Sequence, residues 1–178
     1  MGNESISVQV NGKNFVGIGK MVFDSNSDWN IPHLHFMVDK TTPGNFEATL
    51  LEFGLVSWSE TQDGAITSLV KQTHSHILAV MKGEGFDRFI RTVDDHVMDG
   101  FWRNYRKIEF TLAREGRDLS HEMDSRLVRA IKAMLSEETK NFIREIAKDN
   151  AEKVAAEIDR ILSLTPSTLT YTEIKAAA

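Results

Sequence analysis

The chain has 178 residues, with 21 basic and 26 acidic side chains and a formal net charge of -5. A chain of this length folds as one domain with room for an appendage, and buries roughly two-thirds of its unfolded surface without help from a metal or a disulfide. It contains no cysteine, which excludes a disulfide framework, a thiol nucleophile and thiolate zinc sites. The acid excess weighs against a nucleic-acid binder, whose backbone affinity comes from basic charge.

The first residues, MGNESISVQV, have neither a basic region nor an apolar core of signal-peptide length. The serines behind Gly2 do not stand where myristoylation wants them. No window reaches the roughly eighteen apolar residues of a membrane span. The expectation is a cytoplasmic protein that does not enter a membrane.

Residues 5–23 read as a hairpin. Ile6, Val8 and Val10 alternate, Asn11-Gly12 is a strong hairpin-turn pair, and Lys13 to Phe23 returns. Gly17 and Gly19 in the return strand predict a bulge or a close backbone approach. A polar loop follows, DSNSDWNIP, with Trp29 and Ile31 tucked beside the sheet. Residues 33–39 form the next strand. Leu34, Phe36 and Val38 make its better core face, and His33, His35 and Met37 point the other way.

Thr41 to Asn45 is a turn by composition, residues 46–53 are the partner strand, and Gly54 breaks it. Residues 55–59 resume in extended form. Ser57, Ser59 and Thr61 are small and polar, which fits an edge or half-exposed strand. The period then changes. Ile66, Leu69, Val70, Thr73, Ile77 and Val80 recur at helical spacing, with Thr61 or Asp63 as N-cap and Gly83 and Gly85 as the stop. This helix must cover the face carrying Leu34, Phe36 and Val38.

Residues 86–105 read as a second, shorter helical region. Phe86, Phe89 and Ile90 form one apolar patch; Val97, Met98, Phe101, Trp102 and Tyr105 form another. Residues 107–113 read as a strand, with Ile108, Phe110 and Leu112 on one side. The last third begins with a helix capped by Ser120 and running to Leu135. Ser136-Glu137-Glu138 then caps a continuation to Leu162, as one bent helix or two. Residues 164–174 read as turn then strand, needing the edge of the chain's own sheet or a neighbour's. The fold class is α+β, an antiparallel sheet covered by a helix. The core is 1–117, and 118–178 is a helical extension ending in a strand.

Chemistry-bearing residues are sparse. His33 and His35 share a strand face and are the candidate metal ligands, with Glu47 or Glu52 as a further donor; a first-row metal needs three or four. His74 and His76 are two apart on a helix and do not share a face; His74 goes with Lys71 and Leu78 at its surface or flank. Asp94, Asp95, His96 and Asp99 are explained by a helix start and lack calcium-loop spacing. His121-Glu122 opens like HExxH, but the fifth residue is Ser125. No nucleophile elbow or phosphate-binding loop is present. Arg103, Arg106 and Lys107, interleaved with Trp102 and Tyr105, are the candidate nucleic-acid contacts. Their spacing turns the aromatics inward and leaves the cations solvated. No catalytic residue and no cofactor is implied.

Residues 33–80 resemble the HicB-like antitoxin domain. The matching pieces are HLHFMVDK and FEATLLEFGLVSWSETQDGAITSLV. Leu51-Glu52-Phe53-Gly54-Leu55 looks like the family's corner and Ser59-Glu60-Thr61 like the step before its helix; Gly64-Ala65 stands where the family has an acid and Ala. The resemblance implies a fold partly like a double-stranded-RNA-binding domain. In toxin–antitoxin pairs such domains mask a small ribonuclease toxin, and an added module binds operator DNA. Here the match is extended by an N-terminal hairpin and a helical last third without a DNA-reading module.

The expected role is a non-enzymatic interaction or scaffold protein, a homodimer built by the terminal helix and last strand. One alternative is an antitoxin-like or nucleic-acid-associated regulator, which requires Arg103, Arg106, Lys107, Arg114 and Arg117 on one face. The other is a metal-binding enzyme using His33 and His35.

Overall fold

The computed structural model describes residues 8–10, 13–23, 33–42, 44–80, 93–114, 116, 125–149 and 151–173. In order they form β1 (Val8–Val10), β2 (Lys13–Val22), β3 (His33–Thr42), β4 (Asn45–Leu50), β5 (Leu55–Ser59), α1 (Gln62–Ala79), α2 (Asp95–Arg114), α3 (Ser125–Asp149), α4 (Ala151–Leu162) and β6 (Thr168–Glu173). This is an α+β fold on one six-stranded sheet, ordered β1-β2-β3-β4-β5, with β6 also on β2. Every pairing is antiparallel.

The first two strands pair as the sequence predicts, with Val10 opposite Lys13; the turn pair 11–12 lies outside the described residues, as do Trp29, Ile31 and residues 81–92. The register of β2 on β3 slips between Phe15 and Gly17, which is the predicted bulge. Both glycines of β2 also admit a ring. A Cβ on Gly19 would sit 2.0 Å from Phe36 Cζ, and one on Gly17 would sit 2.0 Å from Tyr171 Oη. The two rings lie parallel with centroids 6.1 Å apart. Missing side chains on β2 are thus filled by aromatics from the strands on either side.

One sheet face carries Met21, Leu34, Phe36, Val38, Ala48 and Leu50, joined by Leu169 and Tyr171 of β6. Helix α1 covers it with Ala65, Ile66, Leu69, Val70 and Ile77, and α3 and α4 add Ile131, Leu135, Phe142 and Ile161. The small residues of β5 let α1 come close. The Ser57 hydroxyl donates to Ala65 O at 2.7 Å, and Gly64 sits so near Ser59 that a Cβ would lie 2.3 Å from its Oγ. Thr61 is the N-cap, accepting from Gly64 N at 3.1 Å.

The opposite face is covered too, which a single helix layer does not provide. Ile18, Met37 and Leu51 form a second cluster with Phe101 and Ile108 of α2. Here the structure corrects the reading of residues 107–113 as a strand, because they are the last two turns of α2. Ile108 continues the helical series from Phe101 and Tyr105, whereas Phe110, the middle member of the apparent alternation, is 66% exposed.

A second correction concerns Ser136-Glu137-Glu138, which lies inside α3 and caps nothing. Ile131, Leu135 and Phe142 form one unbroken buried stripe across it. The described residues form two helices here, Ser125–Asp149 and Ala151–Leu162. The terminal strand β6 finds its partner in the chain's own sheet, with Tyr171 opposite Gly19. Ser167 Oγ donates to Val22 O at 3.1 Å, and Lys132 Nζ of α3 donates to Ser167 O. No described helix is long and apolar enough to cross a membrane.

Candidate functional site

The α2-covered face of the sheet gathers most of the polar chemistry. Strand pairing puts Lys20 opposite His35 and Val22 opposite His33. Asp39 faces Glu47, and Trp58 is Glu47's neighbour on the other side. Asp39, Glu47, Thr49, Thr170 and Thr172 are all buried here.

His35 lies where the β3–β4 ladder ends. Leu51 N still donates to His35 O at 3.0 Å. Leu51 O, the natural return acceptor, instead takes Val93 N at 3.3 Å, from the residues that lead into α2. The vacated partner of His35 N is the Glu52 carboxylate, at 3.0 and 2.9 Å to its two oxygens. The same carboxylate meets His35 Nδ1 at 2.7 Å. Gly54, with φ +61°, turns the chain out of this corner into β5. The imidazole is enclosed by Phe101, Trp102 and Tyr105, with centroids at 5.9, 4.8 and 6.0 Å, and its side chain is 14% exposed.

Chemically this is a histidine fixed through one ring nitrogen. A proton on Nδ1 pointing at Glu52 leaves Nε2 as the acceptor in the neutral ring. Glu52 holds the backbone and the ring of His35 together, and so welds the corner to β3. Of the two acids considered for this histidine, Glu52 reaches it. Glu47 does not, and accepts instead from Trp58 Nε1 at 2.9 Å.

His33 is apart from this arrangement and exposed. Slight desolvation, then Lys20 and His35, hold its imidazole below the ordinary histidine value. Among the described residues no group of three or more His, Cys, Asp or Glu is placed to hold a metal ion. Asp94, Asp95, His96 and Asp99 lie at the start of α2 and are exposed; the Asp94 carbonyl accepts from Val97 N and Met98 N. His121 and Glu122 lie outside the described residues. Arg103, Arg106, Lys107 and Arg114 are exposed on α2, while Trp102 and Tyr105 turn inward; Arg117 lies outside the described residues.

His74 departs from its expected surface position. Its side chain is 1% exposed and bridges α1 to α3: Nδ1 meets Glu138 Oε2 at 3.1 Å and Nε2 meets Thr139 Oγ1 at 3.0 Å. Thr139 in turn donates to Leu135 O at 2.9 Å. Burial pushes the imidazole below its ordinary value, and Glu138 opposes this in part. The available signal was position, since His74 is four residues after Val70 and three before Ile77 on the buried stripe. Comparison with family models, with curated proteins and with solved structures finds no match to this chain.

Proposed function

We propose that the chain is a non-enzymatic, cytoplasmic interaction protein with a HicB-like β3–β4–β5–α1 unit, and that it assembles as a homodimer through the edge of β5. The observation that carries this reading is the edge itself. Among the described residues β5 pairs with β4 alone. Its sequence, LVSWS, has none of the charges or prolines that ordinarily guard an edge. Trp58 on this strand is 64% exposed, and its indole is held in place by Glu47. A fixed aromatic beside an open row of backbone groups is the equipment for strand addition.

The meander β3–β4–β5 followed at once by α1 supports the HicB-like part of the reading. The commitment of His35 and Glu52 to the corner supports a structural role for this half-buried histidine–acid pair on the α2 side. The dimer expected from the terminal helix and last strand is placed on β5 instead: among the described residues β6, like β5, pairs with one strand only, but its sequence TLTYTE ends in a charge whereas LVSWS has none.

The test is light scattering coupled to size exclusion, over a range of concentrations, on the wild type and Trp58→Lys. The lysine keeps a donor for Glu47 while placing a charge on the edge. The expected result is a wild-type dimer and a variant monomer with an unchanged circular dichroism spectrum. A wild-type monomer at the highest concentration contradicts the homodimer.

A further inference from the structure

Because residues 107–113 are helical, α2 presents a continuous outer surface up to Arg114. On a helix, Arg103, Arg106, Lys107, Phe110 and Arg114 fall within an arc of about 100°. That arc lies opposite the buried stripe of Phe101 and Ile108. All five side chains are exposed, and Phe110 stands among the cations at 66% exposure. Asp99 is the acid that shares this arc. Arg103, Arg106 and Arg114 make no ion pair with another described residue. A basic stripe of this kind stands out on a chain whose net charge is -5.

The geometry points to single-stranded nucleic acid as the partner of this face, with the cations on phosphates and Phe110 under a base. Arginine forks suit phosphate oxygens. An exposed ring set among cations is the stacking platform of single-strand binders, and duplex bases, already stacked, cannot use it. A bilayer is disfavoured because the apolar side of α2 is spent on the sheet. This surface is separate from β5, so its fate does not depend on the homodimer.

The test is fluorescence anisotropy of the full chain with labelled oligothymidylate and oligouridylate of about 16 nucleotides, in about 50 mM salt. A duplex of the same length and poly-glutamate serve as competitors. Four phosphate contacts predict a slope of log affinity against log salt of about -3. Arg103→Gln with Arg106→Gln is expected to flatten that slope by about 1.4. Phe110→Ser is expected to weaken binding about tenfold with the slope unchanged. Absence of binding in low salt overturns the inference. So does equal competition by duplex, or by poly-glutamate, or affinity indifferent to all three substitutions. The circular dichroism spectra of the variants, all at exposed positions, show whether each remains folded.

Discussion

His74 is an imidazole locked between two helices, and its surroundings set the sign of a pH effect. Its folded value is lowered by burial, so the unfolded chain takes the proton first as pH falls. Its contribution to stability is therefore fully present above about pH 6.5 and is lost as pH drops below it, at no more than about 1.4 kcal/mol per pH unit. The charges facing it are Glu138, at 3.1 Å, and Lys71, which lies 3.6 Å from Glu138. Urea unfolding from pH 8 to pH 5 is expected to show a shallower fall for His74→Leu than for the wild type. Parallel curves would mean that His74 is not the titrating group. Gly19 makes a steric prediction of the same precision. Phe36 is fully buried and has nowhere to go, so Gly19→Ala is expected to destabilise by about 1–3 kcal/mol through overpacking. Denaturant midpoints measure it, and a neutral result would mean that the Phe36 ring does not lie over β2.

Among the elements, α2 separates what period alone reveals from what it hides. The helical series of Phe101, Tyr105 and Ile108 and the alternating series of Ile108, Phe110 and Leu112 share one residue, and short apolar runs satisfy both periods. Packing decides between them: the sheet offers Ile18, Met37 and Leu51 as an apolar face for a helix to cover. The energetic signature is asymmetric. Phe101→Ala is expected to cost about 3–5 kcal/mol as a core truncation. Phe110→Ser is expected to stay within about 0.5 kcal/mol, as an exposed change does. Equal costs at the two positions would restore the strand. By contrast α1 was legible to its cap, because Thr61 and a long buried stripe state both its start and its face. The His35–Glu52 contact was visible only as one of two options, since the ladder's end decides which acid turns inward.

At the scale of the molecule, the sheet draws its strands from both ends of the sequence. The predicted last strand and its need for a partner were readable from residues 164–174. The choice of β2 was not, because it depends on Gly17 and Gly19 making room for Phe36 and Tyr171. Among the described residues β6 and β5 each pair with a single strand, and the uncharged β5 is the edge on which assembly is expected to turn. The most direct measurement is hydrogen exchange at the β5 amides, followed by mass spectrometry in dilute and concentrated solution. Assembly through β5 predicts that residues 55–59 gain protection as concentration rises, while the amides of β2 and β6 are unchanged, and that Trp58→Lys abolishes the gain. Exchange at residues 55–59 that is indifferent to concentration in a protein shown to be dimeric would contradict it.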